Sequence, residues 1–375
     1  MGGGLMQLVA YGAQDIYLTG NPQITFFKVV YRRHTNFSVE SIEQTFNGTA
    51  DFGKKVTVTV SRNGDLISSA YLQATLPALA GDADAWKSEI GHRLIKSVEV
   101  EIGGQRIDKH YSEWLSIWSD LSGSGDQAGN YDNMIGDVAG ANVAGAGGRA
   151  ARTVYVPLQF WFNRNPGLAL PLIALQYHEV KFNIEINAAS SCCSDDSVSL
   201  GDTSLYVDYI YLDTDERRRF AQTSHEYLIE QLQYTGSESI SGSNHKVKLN
   251  FNHPVKELVW VVQADPTDDL AYTAITSAKL QLNGHDRFSE RAGQYFNWVQ
   301  PYQHHTSSPR KGINVYSFAL KPEEHQPSGT ANMSRIDNAT LSLTTADSGG
   351  TIKVFAVNYN VLRIMSGMGG LAYSN

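Results

Sequence analysis

The chain has 375 residues, 42% of them apolar, and carries a formal net charge of −8 from 30 basic and 38 acidic side chains. That length predicts two or three domains with sizeable cores. The densest basic spot is only Glu216–Arg219, which argues against a role in packaging nucleic acid, and no apolar run reaches the ~18 residues of a membrane span.

Residues 1–23 read as an N-terminal arm. Gly2, Gly3 and Gly4 make its start flexible, while Leu5, Met6, Leu8, Val9, Tyr11, Ile16, Tyr17 and Leu18 are too apolar for a solvated tail. The opening also lacks the basic n-region and apolar core of a signal peptide. Strand-like alternation then dominates, with one face to a core and one to water. In Lys54–Val60, Val56, Val58 and Val60 share one face. Ile95–Ile102 alternates up to a turn at Gly104. His110–Leu121 has helical spacing and ends near Trp118. The stretch between Ser119 and Arg152 is Gly- and Ala-rich, too poor in large apolar groups to build its own core. His178–Ile186 and Val207–Leu212 resume the alternation. A helix is expected over Asp215–Gln231, with Thr214 as its N-cap.

The same plan then recurs. Ile95–Trp118 aligns without a gap on Ile275–Trp298, an offset of 275 − 95 = 180, and Gly284 falls where Gly104 does. Lys54–Val60 matches His245–Phe251, His178–Ile186 matches Asp337–Thr345, and Val207–Leu212 matches Val357–Leu362. A second helical stretch at Ser289–Trp298 answers His110–Leu121. The repeat predicts a first domain over residues 24–213, a linker over 214–223 and a second domain over 224–375. Trp118 and Trp298 are expected in equivalent, largely buried places.

Candidate chemistry is sparse. His304 and His305 are adjacent, so in a strand they face opposite sides and do not chelate one ion. No HxH pair with a spaced Glu suggests a metal-binding cupin. Asp195, Asp196, Asp268 and Asp269 sit in polar loop text. No GxSxG elbow supports a Ser–His–Asp set, and Gly103–Gly104 and Gly147–Gly148 lack the strand–GxxxxGK–helix context of a phosphate loop. The vicinal Cys192 and Cys193 form no disulfide framework, which suits a reducing compartment. Sequons at Asn36, Asn47, Asn332 and Asn338 are expected to be unused. The reading therefore assigns no catalytic, cofactor-binding or metal-binding residue and no enzyme activity.

Five ordered stretches carry a family resemblance: the opening GGGLMQLVAYGAQDIYLTGNPQITFFKVVYRRHTNFS, then VPLQFWFNRNPGLALPLIALQYHEVKF, LNGHDRFSERAGQYFNWVQPYQHHT, PSGTANMSRIDNATL, and the ending VFAVNYNVLRIMSGMGGLAYSN. Together they resemble the major capsid proteins of nucleocytoplasmic large DNA viruses, such as iridoviruses and phycodnaviruses. The resemblance implies an all-β double jelly roll, two eight-stranded antiparallel sandwiches in tandem with a few short helices. It implies a structural subunit of the virion that forms a homotrimeric, pseudo-hexagonal capsomer tiling an icosahedral shell. The partners implied are other copies, neighbouring capsomers, minor capsid and penton proteins, and an inner viral membrane reached through the N-terminal arm. No direct contact with nucleic acid is expected, and assembly belongs to the host cytoplasm. A jelly-roll carbohydrate binder is the alternative, and would show exposed aromatic side chains, Trp86, Trp161 and Trp298 among the candidates, in one concave cluster.

Overall fold

The computed structural model describes residues 12–81, 84–123, 125, 128–138, 149–195, 197–264, 268, 270–346 and 349–373. The first part of the arm, residues 139–148 of the Gly/Ala-rich loop, Asp196 and Asp269 lie outside these residues. The chain divides into two compact units, Met1–Asn36 and Phe37–Asn375. In the first, a short helix spans Asp15–Thr19, and the Asp15 carboxylate accepts a hydrogen bond from the Gly12 amide. Its Ile16, Tyr17, Leu18, Phe26 and Phe27 side chains are exposed.

The second unit is built from antiparallel sheets. Its strands are β1 (Phe37–Gln44), β2 (Lys55–Thr59), β3 (Leu66–Leu76), β4 (Ile95–Ile102), β5 (Gln105–Tyr111), β6 (Arg152–Pro157), β7 (Leu170–Pro171), β8 (Val180–Ile186) and β9 (Thr203–Leu212). After Asp213 come β10 (His225–Ser241), β11 (Asn244–Leu249), β12 (Pro254–Gln263), β13 (Ile275–Leu282), β14 (His285–Asp286), β15 (Arg291–Ala292), β16 (Ile313–Ser317), β17 (Ala331–Asn332), β18 (Ala339–Thr345), β19 (Gly349–Met365) and β20 (Met368–Leu371).

Two sheet orders occur, each twice. β1-β9-β3-β6 faces β2-β8-β4-β5, and β10-β19-β12-β16 faces β11-β18-β13-β14. Strand for strand these are the same path, and every described ladder joins strands on the same side of Asp213. In the first sandwich Val56, Val58, Val98, Val100, Phe182 and Ile184 of one sheet meet Leu72, Ala74, Val154, Leu205 and Val207 of the other. Alternation forces this, because a strand buries every second side chain. The second sandwich packs Val247, Leu249 and Leu341 against Leu258, Trp260 and Val354. Core side chains do cross the midpoint: Ile229, Leu362 and Ile364 join the first core. This architecture is a double jelly roll.

The structure corrects several local expectations. The helix after β5 is Ser112–Ser122, since His110 and Tyr111 still belong to β5. The helix between the sandwiches ends at Gln222, its cap is Asp213 rather than Thr214, and residues from His225 onward form β10. An N-cap needs extended backbone and a side-chain acceptor, and Asp213 has both: φ −68°, ψ 158°, and a carboxylate accepting from the Thr214 amide. Part of the Gly/Ala-rich loop is ordered as a helix, Ala128–Ile135, anchored by buried Ile135 and by Tyr131, whose hydroxyl lies 2.8 Å from His92 Nε2. Trp118 is buried, but Trp298 is 62% exposed. In the second copy a π-helical turn, Tyr295–Val299, leads into the helix Gln300–His304. That turn puts Phe296, not Trp298, into the core, where it packs on Trp260.

Candidate functional site

A cluster of buried and charged side chains lies where the two sandwiches meet. The helix Ser112–Ser122 leaves the first sandwich and lies on the outer face of the second sandwich's sheet β10-β19-β12-β16. Trp114, Ile117, Trp118 and Leu121 cover Val259, Val261, Ile313, Val315, Phe355 and Val357. The Trp114 and Phe355 rings are 5.7 Å apart. Strand β12 is therefore buried on both faces, which explains a run, Val255–Val262, that does not alternate in polarity as a half-wet strand does.

Ion pairs rim this apolar contact. Lys353 Nζ lies 2.5 Å from Glu113 Oε1, and Arg93 lies 2.6 Å from Asp268. Arg310 donates to Glu89 and Ser116 and lies 2.8 Å from Asp120. Burial pushes the Glu89 carboxyl upward, but the His92 hydrogen bond and the Arg310 charge outweigh it and hold the group well below the usual carboxylate range. On the other side of the junction, Glu230 lies 2.8 Å from Arg164 of the first sandwich and 2.7 Å from the fully buried Lys256. Burial raises the Glu230 pKa and these cations lower it, to about 2 on balance. Glu230 and Lys256, both deeply buried, lost their hydration on folding and persist because they are paired; removing one strands the other.

The residues singled out in the sequence fall in separate places. His304 Nδ1 donates to the Leu320 carbonyl, whereas buried His305 sits between Glu257 and Glu323. Cys192 and Cys193 are buried in the first core, and burial pushes the Cys193 thiol up to about 11. Asp268 pairs with Arg93, and Asp195 accepts from Ser197. Trp86 and Trp161 are buried in the first core, so they form no concave cluster with exposed Trp298. The cleft lined by Trp161, Arg164, Glu230 and His325 holds about 190 Å³, below the roughly 300 Å³ at which ligand pockets begin. Among the described residues no three His, Cys, Asp or Glu side chains converge as a metal cluster does. Sequence reasoning missed the junction network; its only signal was an unusual number of charged residues within apolar runs, such as Lys256 and Glu257 in PVKELVWVV.

A duplicated jelly roll with its halves locked by a buried contact defines a class of structural proteins. The model for the major capsid protein N-terminus matches residues 25–213, and that for the large eukaryotic DNA virus major capsid protein matches residues 216–370. The major capsid protein of Pyramimonas orientalis virus is 63% identical, with both chains fully covered, and that of Paramecium bursaria Chlorella virus 1 is 46% identical, again over both full chains. A quasi-atomic model of the PBCV-1 virus capsid superposes with a TM-score of 0.85 at 42% identity, covering 94% of this chain and 100% of that one. The Faustovirus major capsid protein, at 12% identity and a TM-score of 0.79, shares the fold. The chain belongs to the major capsid protein family of large eukaryotic DNA viruses. It is a component of the virion shell, and self-association is its function.

Proposed function

We propose that three copies of this chain associate about a three-fold axis into a pseudo-hexagonal capsomer that tiles the faces of an icosahedral shell. The observation that carries this reading is the sheet order repeated strand for strand. Two similar blocks in one chain become six when three chains associate, and a closed ring of this kind uses heterologous contacts. The two jelly-roll domains are taken as residues 24–213 and 224–375, joined through 214–223. The protein has no catalytic role. It is made and assembled in the host cytoplasm, rests on minor capsid and penton proteins, and reaches the inner membrane through the arm. A net charge of −8 supports the absence of direct contact with the genome. Light scattering on the purified full chain tests the central claim: a mass near three times 41.3 kDa is expected, and a stable monomer at micromolar concentration sinks it.

A further inference from the structure

The junction between the two sandwiches has a counterpart that is left open in a single chain. In the second sandwich, Val259 pairs with Phe355 on one side and Val315 on the other, and Val261 pairs with Lys353 and Ile313. In the first sandwich, Tyr71 pairs in the same way with Tyr206 and Pro157, and Gln73 with Ser204 and Tyr155. Tyr71, Tyr155 and Tyr206 therefore stand where Val259, Ile313 and Phe355 stand. The aliphatic and Phe set is covered by the helix Ser112–Ser122. The tyrosine set faces solvent, with Tyr71 stacked on Tyr206 at 5.2 Å and Tyr155 beside them at 6.2 Å.

The converse holds for the helix. The segment Tyr295–His304 follows β15 as Ser112–Ser122 follows β5, and the gapless alignment puts Trp298 at the place of Trp118. Phe296 anchors the segment to its own core, leaving Trp298, Val299 and Tyr302 turned outward, Tyr302 at 83% exposure. One chain thus has a helical ridge without a sheet and a sheet face without a ridge.

We infer that the Trp298/Tyr302 ridge of one copy seats on the Tyr71/Tyr155/Tyr206 face of the next, repeating between chains the contact that Trp118 makes within one. The occupant is a second copy because this chain already joins its two halves by that contact. Each chain then spans two of six similar steps, so the head-to-tail series closes at three. The chemistry also differs in the expected sense. The face covered within the chain is fully apolar, whereas the one that meets water before assembly is tyrosine-rich, with an apolar ring and a polar tip. Aromatic side chains of this kind concentrate binding energy at interfaces.

This inference rests on the trimer reading, and its test separates the two. Trp298→Glu and Tyr71→Glu each place an unpaired carboxylate in one half of the contact, and each is expected to weaken association by about 30-fold or more. At micromolar concentration each purified variant should scatter as a folded monomer. Mixed together they should form a dimer and stop, because one variant keeps an intact ridge and the other an intact face. If the unsubstituted chain is itself monomeric, the trimer reading fails and this one with it. If that chain is trimeric, a folded variant that still trimerises, or a mixture that yields no dimer, overturns this inference alone. Circular dichroism and thermal melting check the fold, and Tyr302→Glu, at a more exposed position, replaces Trp298→Glu should that variant not fold.

Discussion

His305 is buried with a carboxylate on each ring nitrogen, Glu257 at 3.1 Å and Glu323 at 2.9 Å. Burial alone lowers its pKa, but the two carboxylates outweigh burial and raise it to about 9. A folded-state value above the unfolded value of about 6.5 means that the stabilisation is complete below pH 6.5 and fades as pH rises to about 9. The unfolding free energy from denaturant titrations should therefore fall through that window by an amount on the order of 3 kcal/mol. His305→Gln should flatten the window and lower stability at pH 6. The two tryptophans give a second contrast. Trp118→Ala should cost ~3–5 kcal/mol by opening a cavity at the junction, while Trp298→Ala should change the stability of an isolated subunit by under ~0.5 kcal/mol. Urea unfolding of both variants checks the difference. Sequence alone made both buried because it aligned positions; it did not register that Trp118 is covered by the sheet of the other sandwich, a cover that Trp298 lacks within one chain.

Two hairpins show what was readable at the level of elements. Gly103 and Gly104, with φ of +58° and +85°, join Ile102 to Gln105; Asn283 and Gly284, at +51° and +79°, join Leu282 to His285. Both are two-residue turns with two left-handed positions, and Asn-Gly is their strongest sequence signal. The two glycines of the first turn are not equal. A Cβ on Gly104 meets open space, whereas one on Gly103 comes within 2.2 Å of the His178 ring. Gly104→Ala should cost about 1–2 kcal/mol from backbone conformation alone, and Gly103→Ala distinctly more, as thermal unfolding would register. Bulges were the illegible part. The alignment of Val207 with Val357 sets Tyr206 against Ala356, yet in the ladders Tyr206 takes the place of Phe355. The first sandwich skips Ser68, Ser69 and Asp208 at its bulge, and the second skips only Lys256. A bulge depends on the partner strand, so one strand's sequence does not reveal it. The repeated strand order itself was readable, because alternation and turn residues are local.

At the scale of the whole molecule, the network between the sandwiches was hidden because its partners are distant in the chain: Glu89 meets Arg310, and Glu113 meets Lys353. The arm poses the opposite case, since its apolar character was plain in the sequence and its described side chains Ile16, Tyr17 and Leu18 are exposed. Removing Gly2–Asp15 should leave trimers that fold but close poorly into shells. Electron microscopy of the assembly products would show this, and normal shells from the truncated chain would remove the arm from assembly.

The placement of the two thiols has a consequence for the life of the particle. In an oxygenated medium an accessible thiolate is readily lost to sulfenic acid or mixed disulfides. Cys192 and Cys193 are shut inside a hydrocarbon core, and the second is held protonated by that burial. The two thiols therefore offer oxidants no handle, and the sulfur open to them is the thioether of half-exposed methionines such as Met365 and Met368.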